Sequence, residues 1–391
     1  MQAQRTSERI RQVRLSKIRE VTAKVDEAKR KGIDIVNFSI GRPDFDTPEH
    51  IKEAARKALD RGLVHYTASA GRIELREAIA RRLNQDYGLE VRPEEILVTV
   101  GAAEAVYIGI LSVLNPGDEV LVPHPMYVYY EGYAAMGLGK PVAVPLREED
   151  GFLLKARDIE KHLTERTKLL ILNSPHNPTG QVFEEKDLKE IAALAVKRDF
   201  LILADDIYDA MVYDGMKHHP ILKEPGMKER TLLIGSFSKA YAMDGWRIGY
   251  LVAPRDVLAE SLKLHQHIVS CPNTFVQVGA EAALNGPQDS MHAMVAEFDR
   301  RRRLMMSCLE GMKIPYVRPR GAFYVFPNIK KFGLTSDEFS KFLFEKAGVA
   351  VVPGDAFGPT AEGYVRMSYA TSYEAIEKGM GRAEKALGML L

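Results

Sequence analysis

The chain has 391 residues, with 54 Lys and Arg against 53 Asp and Glu for a formal net charge of +1; 46% of residues are hydrophobic and 27% are charged. That mixture excludes wholesale disorder, and a charge near zero excludes a broad basic footprint for nucleic acid. The two cysteines, Cys271 and Cys308, lack CxxC spacing, which argues against a disulfide scaffold or a cysteine zinc site, and no apolar run of about 18 residues exists to span a membrane.

At about 150 residues per domain, the length predicts two or three domains. The N-terminus is polar and basic from Arg5 to Arg19, without the apolar core of a secretory signal, so a cytoplasmic enzyme is expected. Ser7 to Arg30 reads as helix, closed by Gly32, and Ile33 to Ile40 alternates like a strand. Gly41 to Pro48 is a turn-rich loop. Thr47 is placed to cap a helix opening at Pro48, with Ile51, Ala54, Ala55 and Ala58 on the buried face. A second loop covers Tyr66 to Gly71.

Short apolar runs then recur at Ile96–Val100, Glu119–Pro123, Pro141–Pro145, Lys168–Asn173, Phe200–Asp205, Thr231–Gly235 and Ile248–Ala253, with helical patterns between most of them. This rhythm predicts an α/β fold with a mostly parallel sheet covered on both faces. The last two runs lie close together, which suits one antiparallel strand. Near Gly286-Pro287 the rhythm changes. A helix carrying Arg300-Arg301-Arg302-Arg303, expected to be a solvated face, precedes strand-like Ala322–Phe326, Val349–Val352 and Tyr364–Tyr369. The expected division is a large domain over 46–285 and a smaller α+β domain built from 1–45 and 286–391. His218-His219 is expected on a loop surface rather than as a metal pair.

No G-x-G-x-x-G follows a strand, and neither GxxxxGK[ST] nor HExxH occurs. The most informative stretch runs from Gly235 to Gly249, at the end of a strand: Ser236 and Ser238 flank Phe237, Lys239 follows, and Arg247 comes eight residues later. A lysine amine can condense with an aldehyde, and two hydroxyls with an arginine fork suit a phosphate. The combination fits a phosphate-bearing aldehyde.

This stretch resembles the lysine signature of the class I/II pyridoxal-phosphate aminotransferases of fold type I, and the resemblance extends in order along nearly the whole chain, closest to the aspartate-aminotransferase-like branch. It implies a large domain with a mostly parallel seven-stranded sheet plus a smaller α+β domain. It also implies pyridoxal 5′-phosphate as cofactor, Lys239 as the catalytic lysine, and Ser236, Ser238 and Arg247 as phosphate ligands.

The same resemblance assigns roles to five further segments. In Asn173-Ser174-Pro175-His176-Asn177-Pro178, on its own simple turn chemistry, Asn177 matches the residue that meets the cofactor 3′-oxygen and the substrate; His176 replaces the usual Asn. In Leu203-Ala204-Asp205-Asp206-Ile207-Tyr208, Asp205 matches the carboxylate that keeps the pyridine nitrogen protonated, with Asp206 as rival, and Tyr208 matches the tyrosine at the 3′-oxygen. The small residues after Val100 would let the amides of Ala102 and Ala103 reach the phosphate at a helix N-terminus; taken without the other motifs, the segment reads as ordinary strand-to-helix packing. Tyr127 would stack on the ring. Tyr66 would cross to a neighbouring subunit's phosphate, which implies a homodimer with shared sites.

For the substrate, Arg366 resembles the clamp on the α-carboxylate, aided by the main-chain amide of Gly41 and by Asn177. Arg72, just after the Tyr66 loop, is the candidate reader of a distal carboxylate; an interface or surface ion pair explains it as well. The implied reaction is a ping-pong transfer between an L-amino acid and a 2-oxo acid, of aspartate, glutamate or alanine type, with no metal, no nucleic acid and no membrane involved. A C–S β-lyase on the same fold is the alternative within the enzymes. A cofactor-binding transcription regulator would need a DNA-binding domain before Gly41, where about 40 residues leave too little chain.

Overall fold

The middle of the chain alternates strand and helix because its apolar runs are long enough for one strand each and are separated by amphipathic stretches. The computed structural model describes residues 5–390. Its strands are β1 (Val36–Asn37), β2 (Ile96–Thr99), β3 (Glu119–His124), β4 (Lys140–Pro145), β5 (Thr167–Asn173), β6 (Leu201–Asp205), β7 (Thr231–Ser236), β8 (Gly249–Val252), β9 (Tyr324–Val325), β10 (Val349–Ala350), β11 (Val352–Pro353) and β12 (Val365–Ser368). Seven of them form one sheet in the order β2-β8-β7-β6-β5-β3-β4. The four pairings from β7 to β4 are parallel, while β8 runs antiparallel to both β7 and β2. The antiparallel strand is one of the two closely spaced runs, as the sequence suggested.

Continuous apolar runs are needed because the sheet is covered on both faces. Successive side chains alternate between them. Leu121, Leu170, Leu172, Ile202, Ala204 and Leu233 join an apolar cluster with Leu75 and Ile79 of the helix Ile73–Tyr87 and with Leu188 and Ile191 of Glu185–Arg198. Val120, Val122, Leu169, Ile171, Leu203 and Leu232 join another, with Ile108 of the helix Ala102–Val113 and Leu258 of Arg255–Ile268. Truncating a fully buried member such as Leu170 to Ala costs about 2–5 kcal/mol.

Parallel strands put their carboxyl ends on one edge. Asn173 of β5 lies opposite Asp205 of β6, and Ser236 of β7 and Thr99 of β2 both lie opposite Gly249 of β8. Crevices at such edges are where open α/β sheets bind ligands. Over that edge sit a three-stranded antiparallel sheet, β11-β12-β9, and a parallel pair, β1 with β10.

The structure corrects several sequence expectations. The Ser7–Arg30 stretch is two helices, Glu8–Arg11 and Lys17–Arg30, each preceded by a serine. Only Val36–Asn37 of the Ile33–Ile40 run is strand, because its partner is two residues long. The Val349–Val352 run divides between two sheets, β10 and β11. Thr47 does not cap the helix Glu49–Asp60; its hydroxyl donates to the Ala242 carbonyl at 2.7 Å and accepts from Trp246 Nε1 at 3.0 Å. Thr47 thus ties that helix to the segment just after Lys239.

The four-arginine run is a solvated face only at Arg300 and Arg303; the two central arginines turn inward. Arg302 is wholly buried and Arg301 nearly so. Arg302 forks onto Asp214 at 2.7 and 3.0 Å, and Arg301 donates from Nη1 to both oxygens of Asp44 at 2.8 and 2.9 Å and from Nε to Glu297 at 2.8 Å. Two-pronged ion pairs are what make a buried guanidinium tolerable. The helix that carries them, Asp289–Gly311, starts against the sheet through Met291 and ends in a separate apolar cluster through Phe298, Met305 and Leu309.

Candidate active site

The turn after β7 places Lys239 above the strand ends. Its Nζ donates to the carbonyl of Gly41 at 2.7 Å and lies 5.7 and 5.8 Å from the ring centres of Tyr208 and Phe323. Burial pulls its ammonium down to about 8; Asp244 opposes this, and the charges of Arg366 and Arg247 add to it. An amine so placed is partly neutral near physiological pH.

Asp205, the last residue of β6, is buried. Its Oδ2 accepts from the hydroxyl of Tyr130 at 2.7 Å. Burial lifts its carboxyl to about 6, against the hydrogen bonds from Tyr130 and the Ile207 amide. Asn173 braces the neighbouring strand end: its Nδ2 donates to the Asp205 carbonyl at 2.7 Å, and its Oδ1 accepts from the Asn177 amide at 2.9 Å. Asp206 turns away and pairs with His218.

Arg366 on β12 is buried. Its Nη1 donates to Asn177 Oδ1 at 3.1 Å and its Nη2 to the Ser39 carbonyl at 2.9 Å; its Nε is buried without a partner. The guanidinium lies 4.4 Å from the Tyr324 ring centre and 5.1 Å from that of Phe357. Among the described residues no carboxylate pairs with it. A buried cation left this way is costly unless an anion arrives to share the site. Tyr324 also meets the Tyr208 hydroxyl at 2.9 Å and limits the space beside Gly41, where an added Cβ would come to 3.4 Å of its hydroxyl.

A second anion cradle lies at the start of the helix Ala102–Val113. Gly101 caps it with φ +77°, and a Cβ there would lie 2.4 Å from Arg247 Nη2. Glycine is therefore required for the guanidinium to lie over the helix N-terminus, whose Ala102 and Ala103 amides point outward with the positive end of the dipole. Arg247 donates to the Asp244 carbonyl at 2.8 Å and has no carboxylate partner among the described residues. Ser236 Oγ accepts from the Ser238 amide at 3.1 Å. Tyr127 packs edge-on against Tyr129 and Tyr130, with ring centres 5.2 and 5.5 Å away.

The structure therefore gathers Lys239, Asp205, Asn177, Tyr208, Arg366 and Gly41 through shared contacts, and sets Arg247 against Gly101 at the start of the helix Ala102–Val113. Tyr66 and Arg72 stand outside these contacts. Tyr66 is 88% exposed. Arg72 precedes the helix Ile73–Tyr87 and lies 3.3 Å from Glu74 and 3.7 Å from Glu281. Sequence reasoning missed Tyr130, Asn173, Tyr324 and Ser39. Asn173 was within a quoted motif and sits at a strand end, which was the available signal; the others carry none. His218 and His219 are not surface residues as expected: His218 is buried on Asp206 at 2.9 Å, and His219 pairs with buried Glu224 at 2.7 Å. His176 is also buried, its Nδ1 2.7 Å from Thr179 Oγ1, and burial holds its imidazole down at about 4, hence neutral.

Residues 33–382 match the family described as aminotransferase class I and II. Among curated relatives, the chain is 47% identical to an aspartate aminotransferase of Pyrococcus abyssi over 90% of this chain and 92% of that one. It is 45% identical to aromatic-amino-acid aminotransferase 2 of Thermococcus litoralis, over 97% and 98%. Among solved structures it is similar to the aspartate aminotransferase of Thermus thermophilus with maleate, with a TM-score of 0.94 at 38% identity over 98% of this chain and all of that one.

Proposed function

The chain belongs to the aminotransferase class I and II family, and from that premise we propose that it binds pyridoxal 5′-phosphate through Lys239 and serves dicarboxylic amino acids and their 2-oxo acids. It is an aminotransferase of fold type I. The observation that carries the reading is the pairing of two features in one crevice: a partly neutral lysine amine and a buried arginine with an unfilled Nε.

The fit to the cofactor is a matter of donors. Lys239 would hold its aldehyde; Arg247, Ser236, Ser238 and the amides of Ala102 and Ala103 its phosphate; Asn177 and Tyr208 its 3′-oxygen; Asp205 its ring nitrogen; and Tyr127 its ring face. The Gly101 cradle, which a Cβ would fill, and the buried Asp205 carboxylate are consistent with an anionic end and a cationic ring. When bound, the cofactor supplies a carbonyl for an amine and a protonated ring that draws electrons from the substrate Cα.

The chain's own residues would then divide the work. Arg366, with Asn177 beside it and the Gly41 amide, binds the α-carboxylate and aims the Cα–H. Lys239 in its neutral form would take the Cα proton of the bound amino acid and hold it for return. Asp205, as a carboxylate, would keep the ring nitrogen protonated. The surrounding rings of Tyr208, Tyr324, Phe323 and Phe357 exclude water, which strengthens each charged contact.

Homodimerisation with sites completed by Tyr66 of a second copy, and a cytoplasmic location, belong to the same reading; no helix among the described residues is long and apolar enough to cross a membrane. Arg72 would read a distal carboxylate by exchanging Glu74 and Glu281 for it. The test is a half-reaction: the yellow holoenzyme is mixed separately with aspartate, glutamate, alanine and phenylalanine. The expected result is loss of yellow colour with one equivalent of the matching 2-oxo acid, fastest with aspartate or glutamate. Failure to bind pyridoxal phosphate, or release of pyruvate and ammonia from a cysteine conjugate without a 2-oxo acceptor, would overturn it.

A further inference from the structure

Behind the edge that carries Asp205 lies a charge cluster that the reaction above does not use. The turn after β6 presents two faces. Asp205 and Tyr208 make their contacts with Tyr130 and Tyr324 on the Lys239 side. Asp206 and Asp209 make theirs on the other: Asp206 Oδ2 lies 2.9 Å from His218 Nε2, and Asp209 Oδ2 accepts from the Tyr87 hydroxyl at 2.8 Å. The backbone joins the faces into one unit, because the Asp206 amide donates to Ile234, the Asp209 amide to the Asp206 carbonyl, and the Met211 amide to the Tyr208 carbonyl. The ring of Tyr87 meets that of His218 edge-on at 5.5 Å.

His218 is buried, and its Nδ1 has no partner. It borders a cavity of about 10 Å³ lined also by Tyr87, Asp206, Asp209, Gly235 and Tyr250, a space of the size one water occupies. Two carboxylates thus stand back to back with Asp205 at the end of a buried sheet, and the histidine is the nearest group able to offset them. Burial acts to lower its pKa, but the charge and hydrogen bond of Asp206, with the charge of Asp209, prevail and raise it above the usual histidine value. The other groups facing the cluster are Tyr87 and Tyr250, both pushed up by burial, with Arg82 beyond them.

We propose that His218 is a positioning residue for this active site: as an imidazolium clamped to Asp206, it offsets the charge of Asp206 beside Asp209 and fixes the turn that aims Asp205 and Tyr208. The inference rests on the role proposed for Asp205. With His218 uncharged, Asp206 keeps at most a neutral hydrogen bond and its charge next to Asp205 is no longer offset, so the turn relaxes toward water.

The test begins with unmodified holoenzyme labelled with nitrogen-15 histidine. His218, assigned by its loss in His218→Gln, should carry both ring protons at pH 7; a neutral ring would overturn the proposal without relying on any variant's fold. Absorption titration then compares variants. His218→Gln should shift the pH midpoint of the bound cofactor's spectrum by about half a unit or more and lower kcat by about tenfold or more, with KM altered less than about threefold. The double variant Asp206→Asn/His218→Gln should recover both, since it removes the unpaired charge as well. Recovery supports charge neutralisation, and a double variant as impaired as the single one reduces His218 to packing and overturns it. Asp205→Asn is the control. An unmoved midpoint there would sink the assignment of Asp205 itself, whereas a midpoint moved by Asp205→Asn and not by His218→Gln would sink this inference alone.

Discussion

Lys239 owes its reactivity to its company: burial and the nearby charges of Arg366 and Arg247 all disfavour a third positive charge. Because its pKa is lowered to about 8, the amine is a base above that value and an ammonium below it. The rate with saturating substrate should therefore fall as pH drops through about 8, and Arg366→Met, which deletes one of the charges, should move that limb to higher pH as well as weaken substrate binding. Stopped-flow half-reactions from pH 6 to 10 would show it; a flat profile for both proteins would remove Lys239 as the base. Lys239→Ala should lose both turnover and the yellow colour of the holoenzyme, since one amine serves as anchor and base. Asp205→Asn should still take up cofactor but slow transfer by about three decades, equivalent to about 4 kcal/mol. Asp206→Asn should cost far less, because Asp206 faces His218 and not the crevice. At this scale the sequence was most legible where chemistry needs a rare residue at a strand end, as for Lys239, Asp205 and Arg247. It was silent on Tyr130 and Tyr324, common aromatics whose importance lies only in what they touch across 75 and 116 residues of chain.

Among the elements, the helix Ala102–Val113 depends on a single missing side chain. Gly101→Ala would need φ near +77° and would push a methyl to 2.4 Å of the Arg247 guanidinium. We expect the fold to survive and the affinity for pyridoxal phosphate to drop by about tenfold to a hundredfold, the worth of one displaced charge-assisted contact. Equilibrium titration of cofactor-free enzyme would measure it, and unchanged affinity would mean that the phosphate sits elsewhere. The seven central strands were legible because burial on both faces forces unbroken apolar runs. Ile33–Ile40 misled because alternation describes a half-buried loop as well as a strand, and the length of β1 is set by its partner. The arginine run misled for a related reason: Asp44 and Asp214, which bring Arg301 and Arg302 inside, lie far away in sequence. Local pattern cannot announce a partner supplied by the fold.

For the whole molecule, the exposure of Tyr66 is the telling quantity: a large aromatic 88% open to solvent on one chain suits a contact with another. If each site takes Lys239 from one chain and Tyr66 from the other, a heterodimer of Tyr66→Phe and Lys239→Ala subunits contains one intact site and one doubly damaged site. Activity per intact lysine should rise on mixing, relative to Tyr66→Phe alone. No rise, with heterodimers verified by mass, would put Tyr66 in its own chain's site. The parallel pairing of Val36 with Val349 and of Asn37 with Ala350 acts on a different clock. A ribosome releases the first strand roughly three hundred residues before the second, a delay of about 15–60 seconds at usual elongation rates. Throughout that time Phe38 has neither the Ala350 carbonyl nor the Ser368 amide to bond. The Val36–Phe38 segment is thus shut only once Val349 to Ser368 has emerged, and a chain stalled before Val349 leaves it open to proteases and chaperones however well the central sheet has formed.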